Sequence, residues 1–562
     1  MGFRGSLSVR AVLIASVIAA AALASLPASA GAHAERATFF PNPDQGAFPQ
    51  YRTSGPAKVV CTPDTKQRIK SFKGQVRARH QKLLKDCAYS TIQAAVNAAG
   101  NNTRILVMPG TYLETPSRAP APPGCEDVYE RTEAGQFALS YEEHRQCPNA
   151  QNLIAVLGDT NGDRICDAKC NIQIEGTGPS RTDALVSGDR AKLNILRADR
   201  ADGIYVRNMM FQFSDFNNIY VLETNGFRID NVLSRWSREY GILSFVSDHG
   251  IYENCETYGS GDSGIYPGSG PDRHGIADAH GHVYGIEIRN CNSHKNNIGS
   301  SGTAGNGTWF HDNRFHHNAI GMTTDSFAGG HPGMPQDASK FERNLIYSNN
   351  FNIFSNDRDE YCKQPAEDRD PTVVCPTFQV PVGTGILIAG GNDNIVEGNY
   401  IFDNWRRGTM LHWVPASFRN EPDPAKGSDT SNNNAYVNNC MGVRPKSVWV
   451  PNYSTCQGSR DANGVDFWWD EEEGTDCAPG PGCVDLETQK GNCWIGNVGP
   501  NGATPTADPP LSVLPICPGL DNGFKFPNID KLLELVPCAE WNPRTNTDPP
   551  GCDWFETPPE PQ

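Results

Sequence analysis

The stretch Gly203-Ile-Tyr-Val-Arg-Asn208 recurs as Gly226-Phe-Arg-Ile-Asp-Asn231, Gly250-Ile-Tyr-Glu-Asn254 and Gly285-Ile-Glu-Ile-Arg-Asn290. The first three asparagines are 23 residues apart, and a second short apolar stretch follows each copy, such as Gly241-Ile-Leu-Ser244. Units of this length with Asn and Gly turns cannot bury an apolar face alone, but stacked units bury a continuous core. The repeat therefore predicts an all-β solenoid of short parallel strands, a parallel β-helix.

Stacking explains why the repeats end in asparagine. Equivalent residues of neighbouring turns lie about 4.8 Å apart, so their side-chain amides can form a ladder. Looser copies end at Asn313, Asn344 and Asn399 and are expected to extend that column. A leucine-rich repeat has a similar length, but it needs a recurring Leu-x-x-Leu-x-Leu pattern that this sequence does not contain.

An amphipathic helix is expected to cover the open end of the coil. In Ser90-Thr-Ile-Gln-Ala-Ala-Val-Asn-Ala-Ala-Gly100, Ser90 and Gln93 fit a capping box, and Ile92, Val96 and Ala99 form one apolar face. The strand Ile105-Leu-Val-Met108 and the turn Pro109-Gly110 follow. This segment predicts a helical lid that leads into the first turn of the coil.

This opening, together with the repeats, resembles the pectate-lyase-like superfamily and its generic right-handed β-helix repeat proteins. The resemblance covers roughly residues 85 to 405 and implies a single-stranded right-handed parallel β-helix. The superfamily includes lyases, hydrolases, epimerases and non-catalytic surface proteins, so the resemblance does not select an activity. The epimerase motif Tyr-Gly-Phe/Ile-Asp-Pro-His is incomplete here, because Tyr284-Gly-Ile-Glu287 lacks the Pro-His.

The chain divides into four parts. Residues 1–34 have basic Arg4 and Arg10, an apolar run and small residues, the pattern of a cleaved export signal. An N-terminal extension (35–84), the β-helix (85–420) and an irregular cysteine-rich and proline-rich C-terminal region (421–562) follow. These features predict a secreted protein.

The net charge limits the classes of molecule that the protein is expected to bind, and the cysteine content indicates its redox environment. The formal net charge is −16, which argues against binding to nucleic acid or to an anionic membrane surface. It does not argue against a polysaccharide partner. The 18 cysteines favour disulfides in an oxidising compartment, and the oligomeric state is left open.

Long insertions are expected to emerge from one corner of the coil. The distance from the second-strand isoleucine to the next turn asparagine is 12 residues from Ile219 and from Ile242, but 25 from Ile265 and 46 from Ile353. Loops from the same corner stack into a wall, and such walls often bind ligands. The candidate catalytic residues on this wall are His274, Asp278, His280, His282, Asp325, His331, Asp357 and Arg358.

These residues allow more than one interpretation. Carboxylates beside imidazoles and guanidiniums can perform acid–base chemistry, or they can form a solvated loop surface. His280 and His282 can also offer imidazoles to a metal. A competing surface follows the asparagines, since Arg235, Tyr258, His294 and His317 each lie four residues after one of them.

A possible calcium loop lies between the lid and the repeats. Oxygen ligands occur at the first, third, fifth and ninth positions of Asp159-Thr-Asn161-Gly-Asp163-Arg-Ile165-Cys-Asp167, and Ile165 can offer its carbonyl. Arg164 and Cys170 replace the Gly and Glu of an EF-hand. The sequence predicts either a structural Ca²⁺ or a polar turn tied by Cys166 and Cys170.

Two cysteine pairs and a pair of tryptophans predict further structural features. Cys255 and Cys291 each follow a repeat asparagine, so stacking brings them within disulfide range. Cys362 and Cys375 are expected to staple the longest loop. The tryptophans of Asp466-Phe-Trp-Trp-Asp470 are expected to plug the far end of the coil or to stack on sugars.

Two functions remain open at this stage. The first is binding or modification of an extracellular polysaccharide by lyase, hydrolase or epimerase chemistry. The second is a non-catalytic secreted scaffold or adhesion module.

Overall fold

The computed structural model describes residues 35–271, 275–327, 331–414, 431–477, 491–518, 524–527, 531, 538 and 552–562. The predicted export signal lies outside these residues. Among the described residues, no helix has the length and apolar character needed to cross a membrane.

Three parallel sheets form the sides of one coil, and most turns contribute one strand to each sheet. The first sheet comprises Cys87–Tyr89, Ala57–Val60, Arg104–Val107, Gln173–Gly176, Ile204–Arg207, Asn225–Asp230, Asp248–Glu253, Ile286–Arg289, Thr308–His311, Lys340–Glu342, Ile395–Glu397, Ala435–Val437 and Cys493–Ile495. The second sheet comprises Gly110–Tyr112, Ala184–Ser187, Met210–Gln212, Leu233–Arg235, Glu256–Tyr258, Asn292–His294, Arg314–His316, Leu345–Tyr347, Tyr400–Phe402 and Cys440–Met441. The third sheet comprises Asn152–Leu157, Asn194–Asp199, Asn217–Leu222, Ile242–Phe245, Ser263–Gly268, Ile298–Ser300, Ile320–Asp325, Thr384–Ala389, Arg407–His412, Phe467–Trp469 and Ala507–Asp508.

Short helices lie outside this coil. They are Thr65–Arg68, Gly74–Leu83, Ile92–Asn97, Glu126–Glu133, Tyr141–Gln146 and Asn356–Cys362. Strands therefore make up far more of the described chain than helices do.

The repeat builds the core by alternation. In Ile204–Arg207, Ile204 and Val206 are fully buried, whereas Arg207 is partly exposed. Side chains alternate between the two faces of a strand, so the apolar positions of every turn meet inside the coil. Val206 pairs with Ile229 of the next turn, and both belong to one continuous hydrophobic cluster.

The predicted asparagine column is confirmed for the regular repeats. Asn208, Asn231, Asn254 and Asn290 all adopt positive φ of 50–54°, a region that asparagine tolerates better than most residues. Asn231 Nδ2 donates to Asn208 Oδ1 at 2.9 Å, which is the expected amide ladder.

The looser repeats are offset by one residue from this column. Asp312, not Asn313, follows the strand residue that pairs with Arg289, and it carries the positive φ of 56°. Asn313 begins a second, buried ladder with a donor–acceptor distance of 3.0 Å to the next asparagine. This ladder continues through Asn344, Asn399, Asn439 and Asn497.

Glycine near the start of the third-sheet strands has a packing cause. A Cβ atom on Gly385 would lie 2.4 Å from the carbonyl oxygen of Gly408 on the next turn, and one on Gly321 would lie 2.5 Å from that of Gly385. Only glycine lets neighbouring turns approach this closely, which explains why glycine recurs at this position.

The lid helix is confirmed, but its predicted capping box is wrong. Thr91 is the N-cap and accepts a hydrogen bond from the Ala94 N–H. The backbone N–H groups of Ile92 and Gln93 donate to the buried Glu114 carboxylate, and the Gln93 amide oxygen accepts from Ala155 at 2.6 Å. Gln93 therefore joins the lid to the first strand of the third sheet.

The coil extends beyond the predicted boundaries at both ends. Ala57–Val60 of the N-terminal extension pairs with Arg104–Val107. At the other end, Phe467–Trp469 pairs with Arg407–His412. Trp469 is fully buried in the continuous core, and its ring centroid lies 5.1 Å from that of Trp494, near the C-terminal end of the coil.

Disulfides are present throughout the described chain. The predicted pair Cys255–Cys291 is confirmed with a Cα–Cα distance of 4.5 Å, and Cys362–Cys375 is confirmed as the staple of the longest loop. Six more link Cys61–Cys87, Cys125–Cys147, Cys166–Cys170, Cys440–Cys456, Cys493–Cys517 and Cys538–Cys552. This abundance agrees with an oxidising, extracellular environment.

The insertions leave from two corners, not one. Residues 269–285, 301–307 and 326–339 all connect the third sheet to the first, as predicted. The longest insertion, 348–383, instead connects the second sheet to the third. Ile353 is not in a strand, because it lies in a turn whose neighbour Phe354 packs 4.6 Å from Phe555.

Candidate functional site

Asp278 joins the wall of insertions to the first sheet. It lies in the hairpin of Ile276–Ala277 and Val283–Tyr284, and its buried carboxylate accepts a hydrogen bond from Lys340 Nζ at 2.8 Å. Burial opposes ionisation of Asp278, but Lys340 and the backbone N–H groups of His282 and His280 lower its pKa to about 2. Asp278 is therefore a fixed anion that holds the loop in place.

His280 and His282 are the exposed residues of this loop. Their ring centroids are 6.3 Å apart, and His282 Nδ1 lies 3.3 Å from the Asp278 carboxylate. The described residues nevertheless include no group of three or more His, Cys, Asp or Glu side chains arranged to hold a metal ion. His274 lies outside the described residues.

Beside this loop, the outer face of the first sheet carries a network of charges that we call the charge patch. It lies on strands that start at Asn225, Asp248, Ile286, Thr308 and Lys340. Its members are Arg228, Glu253, Glu287, Arg289, Trp309, His311, Asp312, Lys340, Glu342 and Arg343.

His311 is held between two carboxylates at the centre of the patch. Its Nε2 lies 2.9 Å from Glu287 Oε1, and its Nδ1 lies 2.8 Å from Asp312 Oδ2. Burial lowers the pKa of His311, but the hydrogen bonds and charges of Asp312 and Glu287 outweigh burial and raise it above the ordinary value. The imidazole therefore retains a proton at pH values where a free histidine has lost it.

Arg289 brings a cation to the open side of the same cluster. It donates to Glu287 at 2.8 Å and to Glu253 at 2.7 Å, and 27% of its side chain is exposed. Burial raises the pKa of Glu287, whereas His311 and Arg289 lower it, and the net shift is downward. Trp309 lies over the imidazole of His311, with ring centroids 4.1 Å apart.

Asp325 and His331 lie on the third-sheet side of the wall. Asp325 accepts hydrogen bonds from Thr303 Oγ1 at 2.9 Å and from the Phe327 N–H at 3.1 Å. Burial raises the pKa of Asp325 to about 6. His331 meets Phe245 edge-on at 5.4 Å. These two residues do not join the charge patch.

Asp357 and Arg358 are not on this wall, which corrects the sequence prediction. Both lie in the helix Asn356–Cys362 of the longest insertion, at the corner between the second and third sheets. Asp357 is exposed, whereas Arg358 donates to the Val374 carbonyl at 2.6 Å. The error follows from the misplaced strand at Ile353.

Glu239 accepts a hydrogen bond from Thr377 of that same insertion at 2.7 Å. Burial, and then the nearby Asp262 charge, raise the pKa of Glu239 to about 8. A carboxyl with a raised native-state pKa contributes stability at low pH that is lost as pH rises towards the native pKa.

We expect Glu239→Gln to remove this pH dependence. The melting temperature of the variant minus that of the wild type should rise by about 2 °C or more between about pH 5 and about pH 8. Thermal unfolding followed by circular dichroism measures the difference. The control Glu360→Gln, at an exposed carboxylate, should show no trend, and a flat difference for Glu239→Gln contradicts the assignment.

The predicted calcium loop has its first carboxylate turned inward. Asp159 accepts from the backbone N–H groups of Gly162 and Arg164, and it forms an ion pair with Arg200 at 2.8 Å. Asp167 instead accepts from the N–H and hydroxyl of Thr160. The described loop therefore does not gather its carboxylates around one centre, and the Cys166–Cys170 disulfide matches the polar-turn alternative. Calcium binding stays a prediction.

The competing surface on the second sheet forms a stack of rings that we call the aromatic ladder. It comprises Tyr258, His294, His316, Tyr347 and Phe402, with successive centroids 5.2, 5.2, 4.8 and 4.9 Å apart. His316, not His317, is the ladder residue, because it pairs directly with His294. The one-residue offset of the looser repeats explains the error.

Sequence reasoning missed the charge patch. The residue types at the outward positions of the strands could have revealed it. Glu253, Arg289 and His311 occupy the same outward position on adjacent turns and so form one column. Charged residues of both signs that recur along such a column indicate an ion-pair network.

Comparisons with known proteins agree with this architecture. A family model described as a right handed beta helix region matches residues 217–362. A search of curated proteins finds no match.

Similar solved structures include the following three. The mannuronan C-5 epimerase AlgE4 A-module of Azotobacter vinelandii is 11% identical, with a TM-score of 0.39, 74% of this chain covered and 84% of that one. Pectate lyase Pel9A is 12% identical, with a TM-score of 0.33 and coverages of 76% and 74%. The Dettilon tailspike protein is 8% identical, with a TM-score of 0.33 and coverages of 79% and 61%. The three parallel sheets of the coil and the match of residues 217–362 to a right handed beta helix region thus describe a parallel β-helix.

Proposed function

We propose that the protein binds a uronate-containing extracellular polysaccharide along the charge patch and transfers protons on it through His311. The observation that carries the proposal is the position of His311 between Glu287 and Asp312, next to the partly exposed Arg289. An acid, its orienting carboxylates and a cation are thus grouped on one face of the coil.

The charges suit a uronate. Arg289 would exchange hydrogen bonds to Glu253 or Glu287 for two parallel bonds to a sugar carboxylate, and this would make the neighbouring carbon more acidic. In an elimination, the C5 proton leaves to a base, the C4–O bond breaks, and the departing oxygen takes a proton, which His311 would supply. In an epimerisation, the proton removed at C5 is replaced from the opposite face.

Hydrolysis is less well supported by the same residues. A glycosidase needs a protonated carboxyl of raised pKa as its general acid. In the charge patch, Glu287 has a lowered pKa and is paired with Arg289 and His311. Proton transfer next to a carboxylate therefore fits the patch better than glycosidic hydrolysis.

The test uses purified full-length protein with alginate, polygalacturonate and a neutral glucan. We expect unsaturated uronates, detected by ultraviolet absorbance, or epimerised units, detected by proton NMR. His311→Gln should lower the rate by about 100-fold or more. The matched control His317→Gln, an exposed histidine on the second sheet, should retain the rate. No change in any uronate, or full activity in His311→Gln, contradicts the proposal.

A second variant separates catalysis from folding. Asp312→Asn removes one of the two negative charges that raise the pKa of His311. The alkaline limb of the pH–rate profile should therefore move to lower pH, because His311 loses its proton earlier. If the alkaline limb lies at the same pH in Asp312→Asn as in the wild type, His311 is not the titrating acid.

The alternative is a non-catalytic binding module. It is favoured by the ion pairing of Glu253, Glu287 and Glu342. Binding of alginate or polygalacturonate without any chemical change, in wild type and His311→Gln alike, would select this alternative.

A further inference from the structure

We infer that the second sheet carries a separate binding surface for an acidic polysaccharide chain, formed by the aromatic ladder, the cations beside it and Trp449. This surface lies on a different side of the coil from the charge patch. The inference does not depend on the activity proposed for His311.

The open part of the ladder is a row of partly exposed rings. Tyr258, His294 and His316 are partly exposed, whereas Tyr347 and Phe402 are buried in a cluster with the segment around Val443 and Tyr453. The row runs along the coil axis with one ring per turn. Because neighbouring rings stack face to face along the axis, their edges point outward, and an extended sugar chain lying parallel to the axis can pack along this strip of ring edges.

His316 is an uncharged aromatic ring in this row. Burial, followed by the charges of His294, His317, Arg314 and Lys295, lowers the pKa of His316 to about 2. His294 Nε2 lies 3.1 Å from Glu256, whose carboxylate also pairs with Arg181. The ring of His294 is therefore held in a fixed orientation by Glu256. The ring of His316 adds no charge to the row.

Cations line this row although the whole chain is acidic. Arg235, Lys295 and Arg314 form no ion pair with a carboxylate within the part of the chain that the structure describes. Arg235 instead donates to Tyr258 Oη at 2.9 Å, and Lys295 is exposed. In a chain of net charge −16, cations that form no close ion pair beside an open row of rings are complementary to an anionic ligand.

Trp449 provides a further ring at the edge of the row. It is 74% exposed, and the Arg314 guanidinium lies 3.9 Å from its ring centroid. A tryptophan this exposed gains nothing from burial in the protein, and its large face remains available to a ligand. The cation beneath it can meet an acidic group of a sugar that stacks on the indole.

The experiment compares polymers that share one backbone and differ in charge. Full-length protein is titrated by affinity electrophoresis with dextran sulfate, carboxymethyl dextran and unmodified dextran. We expect binding of one or both anionic polymers that weakens with salt, and no binding of dextran. Comparing the affinity for dextran sulfate with that for carboxymethyl dextran shows whether the surface prefers sulfate or carboxylate groups.

Two variants locate the binding. Trp449→Ala and Lys295→Gln should each weaken binding of the preferred anionic polymer by about fivefold or more. The matched controls are Ile516→Ala, equally exposed at 74%, and Lys66→Gln, an exposed lysine near the lid. Both controls should bind like the wild type.

Three outcomes overturn the inference. They are no binding of either anionic polymer, equal binding of unmodified dextran, and equal effects of test and control variants. Because these polymers contain no uronate, failure of this inference leaves the His311 experiment unaffected, and the reverse also holds.

Discussion

Replacing Lys340 with methionine is expected to lower the free energy of unfolding by about 3–5 kcal/mol. The side chain of Lys340 is fully buried, and its ammonium lies 2.8 Å from Asp278 and 3.1 Å from Glu397. Removing the cation leaves the buried Asp278 carboxylate without its counter-charge, and a buried unpaired charge costs several kcal/mol. Urea unfolding followed by tryptophan fluorescence measures the loss.

Two comparisons isolate the cause. Lys363→Met breaks an exposed ion pair with Glu360 and should cost less than about 1 kcal/mol. The double variant Lys340→Met with Asp278→Asn should regain part of the loss, because the second change removes the stranded charge. A Lys340→Met protein as stable as the Lys363→Met control would show that Asp278 does not depend on this lysine.

The second large effect is expected from Asn399→Ala in the buried asparagine ladder, at about 3 kcal/mol. The Asn399 amide donates to the Phe341 carbonyl at 2.8 Å and to Asn439 at 3.0 Å, and its oxygen accepts from the backbone and side chain of Asn344. Alanine leaves these buried groups without their partner, and each unsatisfied group costs about 1–3 kcal/mol.

The matched control is Asn352→Ala, at an exposed asparagine of the longest insertion. It should change the stability by less than about 0.5 kcal/mol. If Asn399→Ala lowers the stability no more than this control, Asn399 is not part of a buried ladder. The register of the turns that contain Asn344, Asn399 and Asn439 must then be revised.

The fold could be predicted because its signals are local and repeated. Asn208, Asn231 and Asn254 mark the same positive-φ corner on three turns, and Ile and Val alternate within each strand. These preferences act within a few residues, so one sequence displays them. The Cys255–Cys291 disulfide followed from the same stacking.

The longest insertion was placed wrongly because its apolar residues imitate a strand. Ile353 and Phe354 are buried, but against the C-terminal segment rather than in a sheet. The true strand, Thr384–Ala389, begins about thirty residues later. Burial alone does not distinguish a turn that packs against a distant segment from a strand.

The charge patch depends on contacts between turns, which the sequence does not display. His311 meets Glu287 across 24 residues, and Arg289 meets Glu253 across 36. Predicting these pairs requires the register of every turn, including the one-residue offset at Asp312. The sequence predicted the loop that contains Asp278. It did not predict that this loop places Asp278 next to Lys340.

The pKa of His311 is the most direct test of the proposed site. It can be measured from the imidazole shifts of histidine-labelled protein across a pH titration by NMR, with His311→Gln to assign the signal. The structure predicts a pKa above that of free histidine, which falls when Glu287 is changed to Gln. A His311 signal that titrates at or below the pKa of free histidine, unchanged in Glu287→Gln, would contradict the account.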